Sequence, residues 1–467
     1  MIELWPFQAK LIQQLRSTLL QGRTSPLLVS PTGSGKTVMF AYLAGRLAQN
    51  GFRTVILAHR KELLDQISAT LRMFHVKQAQ IAPGTTYDAQ YQVHVASVFS
   101  VVRKLSYVDV PNYVIIDEAH HAIPGSTWGK TLAWWREANP RLRTIGVTAT
   151  PQRLSGEGMD DTFDDMVLGP SVADLIRDGY LSPYRMFAPP QQVDTSVLHH
   201  KMGEFVRGEA AALMDRPTIT GNAISHYRQH LNGAPAVAFC VGVDHAHHVA
   251  EQFRAQGWRA AAIDGKMKPK DRKQMVDDFA AGKLNVMTSC DLISEGYDVP
   301  GMMGCINLRP TESLAMCLQQ WGRTLRYQDG KTAIILDHVG NSARHGLPDQ
   351  DREWSLTGTE KGRTKRDPDD ISIKQCKSCG AVNRLSRSAC SECGAEFVTK
   401  AREIKEVEGT LEEVKAAEHW TLKNEPTAQD KHALKRIEAI ARMRGIKNPE
   451  GWSRHVLAAT KAKKRFG

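Results

Sequence analysis

Three groups of residues in this chain have types and spacings suited to chemistry. The first lies in PLLVSPTGSGKTVMFAYLAGRLA, an apolar run followed by a glycine-bearing turn and then by apolar residues at helical spacing. Gly33 and Gly35 let the backbone wrap so that successive N–H groups face phosphate oxygens, which makes Pro31, Thr32, Gly33, Ser34, Gly35, Lys36 and Thr37 a candidate nucleotide cradle. Lys36 would reach the outer phosphates and Thr37 would offer its hydroxyl to Mg²⁺. The strict pattern has glycine where this chain has Ser30, but a strand and a helix fall on the required sides. The second group is NYVIIDEAHH, where Asp117 and Glu118 end an apolar strand. Ligands of open α/β sheets sit beyond the carboxyl ends of the strands, so both carboxylates should face the crevice of the glycine loop. Asp117 would hold Mg²⁺ through water, and Glu118 would orient and deprotonate an attacking water. The third is QQWGRTLR, in which Arg323 and Arg326 share a helix face at i and i+3. That face meets either water or something negatively charged.

A fourth group binds metal rather than substrate. Cys376, Cys379, Cys390 and Cys393 form C-x2-C-x10-C-x2-C, two knuckles able to close tetrahedrally on Zn²⁺. Four thiolates leave no open coordination position, so the expected role is structural or for docking. Cys240, Cys290, Cys305 and Cys317 stand singly in apolar surroundings, where a buried reduced thiol is the default. His245, His247 and His248 could be a metal cluster, but a polar helix start after a strand is the more economical reading.

These groups need elements to hold them. TSPLLVS, RTVILAH, YQVHVAS, NYVIIDE and RTIGVTA read as strands of one sheet, and AVAFCVG, RAAAIDG, NVMTSC, GCINLR and TAIILDH as strands of a second. Near-continuous apolar strands separated by helices are the mark of parallel sheets covered on both faces. The expected fold class is therefore α/β, two parallel-sheet lobes in tandem followed by a small zinc module and a basic helical C-terminus. We expect lobes at 1–180 and 181–345, a linker at 346–370, the four-cysteine zinc module at 371–400 and the basic segment at 401–467. The net charge is +11 and is uneven: residues 431–467 carry eleven Lys+Arg against two Asp+Glu. Such a block suits a phosphate backbone or is a solvated tail. No stretch approaches the roughly 18 apolar residues of a membrane span, and the N-terminus lacks the order of a signal peptide. A cytoplasmic protein with no membrane partner is expected.

Taken together, WPFQ, PTGSGKT, AHRKELLDQ, VASVFS, DEAH, TAT, SEGYDVP and QQWGRTLR occur in the order found in superfamily 2 helicases and translocases of the DEAH type, which the sequence resembles over residues 4–326. The resemblance implies two RecA-like lobes, ATP at their interface and nucleic acid across the top of both. It implies that Gln8 reads adenine, and that Gln319, Arg323 and Arg326 reach from the second lobe to the γ-phosphate, where charge grows in the transition state. It also implies that Gly296 and Asp298 join the nucleotide site to the strand path, that Arg60 and Ser97 hold the phosphate backbone together with the segment FCVGVDHAHH, and that Thr148 and Thr150 couple that path to ATP. Two positions depart from the pattern. Trp5 stands where the nearest branch has an arginine two residues before the aromatic of the motif, and it either stacks on adenine or packs under the lobe; Cys290 replaces a threonine and puts a phosphate contact there in doubt.

The EGYD form, GEF at Gly203 to Phe205, LRPTES at Leu308 to Ser313, the ILDH ending, the cysteine quartet and the closing WSRHVLAATKAKKRFG are similar to those of the RadD-like DNA repair helicases. That likeness implies a monomeric ATP-dependent DNA helicase or translocase acting on single-stranded, duplex or forked DNA in replication, recombination or repair. It also implies a single-strand-binding protein as partner, with ATP, Mg²⁺ and Zn²⁺ as cofactors. An ATP-gated DNA clamp with little unwinding and an RNA helicase remain open as alternatives.

Overall fold

The computed structural model of the chain describes residues 3–153, 156–188, 195, 197–201, 204–215, 217–290, 292–293, 299–358 and 373–397, with scattered positions between 434 and 457. In the first lobe, β1 (Pro26–Val29), β2 (Thr54–Ala58), β3 (Gln78–Ile81), β4 (Val93–Ser97), β5 (Tyr113–Asp117), β6 (Arg143–Thr148) and β7 (Asp165–Leu168) form a parallel sheet ordered β3-β4-β2-β5-β6-β1-β7. Side chains alternate across it, as the strand period of two requires. Leu28, Ile56, Ile115 and Ile145 pack under the helices Pro6–Leu20, Lys36–Gln49 and Lys61–Met73, while Leu27, Val55, Leu57 and Ile116 pack with Trp128, Leu132 and Trp135 on the other face. Both faces are covered, which is why the central strands read as unbroken apolar runs.

The second lobe repeats the plan. β8 (Tyr184–Phe187), β11 (Ala236–Phe239), β12 (Ala260–Ile263), β13 (Val286–Ser289), β14 (Gly304–Asn307) and β15 (Ala333–Asp337) form a parallel sheet ordered β12-β13-β11-β14-β15-β8, and β9 (His200–Lys201) and β10 (Glu204–Phe205) make a short antiparallel pair beside it. Tyr227 and Phe253 cover one face with Ala238, Ile306 and Leu336; Phe279 and Trp321 cover the other with Phe239, Met287 and Ile335.

Three strands of the two large sheets fall outside the apolar runs of the sequence. β3 and β8 are edge strands and β7 is the opposite edge of the first sheet, each only partly buried, so their sequences QAQI, DMVL and YRMF mix polar with apolar residues.

The cysteine module, far along the chain, lies beside β8. Phe187 bridges Ala381, and the Ala188 N–H donates to the Gly380 carbonyl at 3.1 Å, so the module with β16 (Ile373–Gln375) and β17 (Val382–Arg384) prolongs the edge of the second lobe. The segment expected to begin a linker takes another course. Residues 346–358 run back to the first lobe, where the Leu356 carbonyl accepts from the Met159 and Asp160 N–H groups at 2.6 and 3.2 Å and Leu356 joins the apolar cluster of Trp128 and Phe163. Residues 1–398 form one compact unit and 399–467 another. In the latter, Glu438 and Arg442 pair at 2.6 Å with helical i, i+4 spacing. The rest of the expected linker, 359–370, and most of the basic C-terminal segment, including its last ten residues, lie outside the described residues.

Candidate active site

The glycine loop leaves β1 and turns into the helix Lys36–Gln49, with Gly35 as the left-handed residue before the helix at φ 78°. A side chain there would be strained. It would also be blocked, since a Cβ on Gly35 would lie 2.5 Å from Gln8 Nε2, and one on Gly33 2.9 Å from Leu181 Cδ2. Ser30, the departure from the strict pattern, ties the loop's two ends by donating to Ser34 Oγ at 2.7 Å. Lys36 Nζ donates to the carbonyls of Ser30 at 3.1 Å and Pro31 at 3.2 Å, so its ammonium sits within the cradle. Thr37 follows in the first helical turn. Gln8 is buried against the loop and donates to the Ser34 carbonyl at 2.8 Å, while its Oε1 accepts from the Trp5 N–H at 3.0 Å. Both ends of the amide thus meet backbone in this arrangement. Trp5 is half-exposed and packs with Phe7 and Tyr180, its ring centroid 5.1 Å from that of Tyr180.

Asp117 ends β5, beside the cradle. Glu118 follows in a left-handed conformation at φ 50°, unusual for a residue with a Cβ. This turn folds the pair together, with the Glu118 N–H donating to Asp117 Oδ1 at 3.1 Å. Burial, reinforced by the neighbouring Glu118 charge and opposed by Lys36, pushes the Asp117 carboxyl up to about 7. Burial also lowers Lys36 from its ordinary value, with the carboxylates of Glu118 and Asp117 acting against it and Arg323 and Arg326 with it. Two adjacent carboxylates and a hydroxyl are a hard, all-oxygen donor set. That set fits Mg²⁺.

Thr148 and Thr150 close a turn at the end of β6: the Thr148 hydroxyl donates to the Thr150 carbonyl at 2.9 Å, and the Thr148 carbonyl accepts from the Ser30 N–H at 3.0 Å. The pair therefore touches the first residue of the loop.

The second lobe supplies the other wall through the helix Leu314–Thr324. Its register is fixed by a buried network in which Trp321 Nε1 donates to Asn307 Oδ1 at 2.8 Å and Asn307 Nδ2 to Gln320 Oε1 at 3.0 Å. Gln319 Nε2 then reaches across and donates to Glu118 Oε2 at 3.3 Å. One turn on, Gly322 lies so close to the loop that a Cβ would be 2.5 Å from Thr32 Cβ. Arg323 is 6% exposed and near enough to shift both Lys36 and Asp117. Burial brings Arg326 down to about 10, and its backbone bridges Leu181. Apart from the Gln319 to Glu118 hydrogen bond, an ion pair between Arg272 and Glu62 also joins the lobes. Arg323, Arg326 and Gln319 are thus gathered with Lys36, Asp117 and Glu118, from two sheets far apart in sequence.

The proposed strand contacts lie elsewhere on the first lobe. Arg60 follows β2 as the residue before the helix Lys61–Met73, and Ser97 ends β4; Ala58 pairs with Ser97 in the sheet, so the two sites share its carboxyl edge. Gly296 and Asp298 lie outside the described residues. The Cys290 thiol is turned to the Val241 carbonyl at 3.2 Å. The three histidines after β11 part company: His245 Nδ1 accepts from the Val241 N–H at 3.3 Å, His247 meets Asp264 at 3.0 Å and His248 meets Asp215 at 2.6 Å. The cysteine quartet does converge, its sulfurs all within 4.8 Å of one another, and among the described residues it is the one cluster with metal-ligand geometry. N–H groups of Cys379 and Ser378 bring Cys376 down to about 6, while burial pushes Cys379 up to about 12, so the quartet holds a proton that a bound cation would displace.

Several residues of these sites have no role assigned from the sequence, some of them inside motifs that carry only the resemblance. His120 Nδ1 lies 3.6 Å from Glu118 Oε2, and Tyr180 completes the aromatic patch around Trp5. Glu204 accepts from Thr311 Oγ1 at 2.5 Å and the Glu312 N–H at 3.0 Å, which unites the GEF and LRPTES segments. Asp349 accepts from Tyr184 Oη at 2.5 Å and from Arg384 at 2.7 Å. Arg384 therefore faces a carboxylate.

Two family patterns match the chain: the type III restriction enzyme res subunit over residues 1–153, and the helicase conserved C-terminal domain over residues 221–328. A 51.5 kDa protein of Lactococcus phage (isolate 7-9) is 35% identical over 387 residues, 83% of this chain and 81% of the phage protein. A Saccharomyces cerevisiae protein that bears the provisional name of ATP-dependent helicase IRC3 is 27% identical over 356 residues, 72% of this chain and 51% of the yeast protein, so the match spans about half of that relative. Among solved structures, a fragment provisionally assigned to the HsdR subunit of a type I restriction enzyme from Vibrio vulnificus YJ016 aligns with a TM-score of 0.57 at 20% identity, over 76% of this chain and 67% of that chain. The fold is two RecA-like lobes in tandem, with a four-cysteine cluster after them.

Proposed function

The chain belongs to the superfamily 2 helicases, ATP-dependent enzymes that act on nucleic acid, and from that premise we propose that it is a DNA translocase or helicase of RadD-like type. It would work on forked or partly single-stranded DNA in replication, recombination or repair. The observation that carries the mechanism is the Gln319 to Glu118 hydrogen bond across the lobes at 3.3 Å.

In this reading the backbone of Gly33 to Thr37 takes the phosphates, Lys36 exchanges its loop carbonyls for phosphate oxygens, and Thr37 and Asp117 hold Mg²⁺. Bound there, the cation offsets the charge on the β- and γ-phosphate oxygens. Glu118, positioned by Gln319, orients the attacking water and takes its proton. Arg323 and Arg326 stabilise the charge on the departing γ-phosphoryl group. Because the acid residues belong to one lobe and the arginines to the other, hydrolysis requires closure, and Thr148 and Thr150 pass that requirement to the strand held by Arg60 and Ser97. DNA is favoured over RNA by the EGYD form within SEGYDVP and by the restriction-enzyme family pattern.

The test is the steady-state ATPase rate without nucleic acid and with single-stranded DNA, duplex DNA, a fork or RNA, at two salt concentrations because backbone contacts are salt-dependent. Selective stimulation by the fork or single strand is the expected result. Stimulation by RNA alone would overturn the DNA assignment, and equal rates on long and short DNA would replace the motor by a clamp.

A further inference from the structure

Beside β8 and β15, where the second lobe meets the cysteine module, the structure holds a cavity of about 210 Å³ that the ATPase reaction does not use. Its walls are rings. Phe187 and His230 stack with centroids 3.9 Å apart, and His226 and His338 stack at 5.1 Å. Lys377 and Ser378 of the first cysteine knuckle stand exposed at the rim.

His338 is the least expected of these. It is 3% exposed, yet its Nε2 has no hydrogen-bond partner among the described residues. A buried polar atom without a partner costs about 1–3 kcal/mol, so its retention at a cavity wall points to a ligand. The backbone that carries the ring is fixed, because the His338 N–H donates to the Asn307 carbonyl at 3.2 Å and Asp337 before it accepts from the N–H groups of Asn341 and Ser342 at 3.1 and 2.6 Å.

The chemistry of the walls narrows the ligand. Burial lowers His338 to about 3 and also lowers His226 and His230 from their ordinary values, so all three rings are neutral near pH 7. Neutral imidazoles do not attract a phosphate. Nor do these rings bring their nitrogens together as a metal site would, since among the described residues the cysteine quartet is the one such cluster. What suits stacked aromatic walls, a buried imidazole nitrogen and one lysine at the rim is an uncharged flat ring attached to a phosphate. The location agrees: the cavity opens at the carboxyl ends of β8 and β15, the sheet edge from which FCVGVDHAHH and Cys290 also emerge.

We propose that this cavity receives one unpaired base of the strand that the enzyme holds, stacked against His230, which Phe187 backs, with the imidazole of His338 meeting its edge and Lys377 its phosphate. This rests on the reading of the chain as a nucleic-acid motor. It gives the cysteine module a part in gripping the track, and it concerns single strands, whose bases are free to leave the stack.

The experiment uses the full chain, a non-hydrolysable ATP analogue to stop translocation, and a set of forks whose junction fixes the register. In each fork one nucleotide of the single-stranded arm is abasic. Affinity should fall on the order of tenfold at one position and little elsewhere, as base stacking on aromatic side chains predicts. His230→Ala should flatten that profile, and His230→Phe, which keeps a ring, should restore it. ATPase without nucleic acid and the melting temperature should stay as in the parent protein, which separates lost stacking from misfolding. A flat profile in the parent protein, with the intact fork bound normally, overturns the pocket and leaves the motor standing. Failure to bind any fork overturns the motor reading on which the pocket depends.

Discussion

Arg323 tests the division of labour between the lobes. Its guanidinium is buried beside Lys36 and Asp117 but comes from the far side of the cleft, so it bears on the reaction without building the nucleotide cradle. Arg323→Ala should lower kcat by about 10³-fold or more, the scale on which such arginines act, while ATP affinity measured by equilibrium binding changes only a few-fold. Normal turnover in that variant would end the interlobe account. Glu118→Gln should abolish hydrolysis as well, and since Gln319 is an amide that can also donate or accept, the contact across the lobes should survive. The residues at this scale were legible because phosphate chemistry fixes their types: a glycine loop, a lysine, adjacent carboxylates and paired arginines admit few substitutes. His338 was not, because a single histidine at the end of ILDH gives no sign of its burial or of the rings from distant segments that face it.

Among the elements, the helix Leu314–Thr324 and the returning segment 347–358 determine how the lobes meet. Gly322 lets the helix lie on Thr32 of the glycine loop, and Gly322→Ala would place a methyl group 2.5 Å from Thr32 Cβ. The lobes must then part. ATPase should fall sharply although no reacting group has changed, and each lobe's melting should be unaffected. The segment 347–358 holds the lobes from behind. Arg352 donates to the carbonyls of His345, Leu347 and Gln350 at 3.1, 2.8 and 2.8 Å, which shapes the turn, and Leu356 docks in the first lobe's core. Leu356→Asp should weaken closure by about 1–2 kcal/mol, a shift of about 5- to 30-fold in the closed population, read as weaker apparent ATP affinity and faster proteolysis of the segment. The central strands were legible from their unbroken apolar runs. β3, β7 and β8 were not, since a half-buried edge strand has mixed composition, and DQDREWSLTG reads as a linker because it is polar and its anchors, Asp349, Arg352 and Leu356, are scattered side chains with no periodic apolar face.

On the scale of the whole molecule, the basic block and the cysteine module each predict an effect separate from the reacting groups. The block of eleven Lys+Arg against two Asp+Glu in residues 431–467 predicts that removing residues 401–467 reduces the salt dependence of DNA binding, by roughly one unit of slope for each phosphate that the segment neutralises, with basal ATPase retained. The cysteine module is different, because it is built into the second lobe. Cys376, Ala381 and Cys390 share an apolar cluster with Phe187, Ala238 and Leu336, Arg185 pairs with Glu392, and Arg384 binds the same Asp349 that Tyr184 holds at the head of the returning segment. With Zn²⁺ holding the quartet, its loss would untie the two knuckles from each other, and the disturbance would pass through β8 into the sheet and through Asp349 into the segment that holds the lobes together. Chelation or Cys376→Ser should therefore lower the melting temperature of the second lobe and cut DNA-stimulated ATPase, while a fluorescent nucleotide still binds the first lobe. If the module were an independent appendage, its loss would leave both the melting temperature and the ATPase unchanged, and calorimetry of the metal-free protein decides between the two.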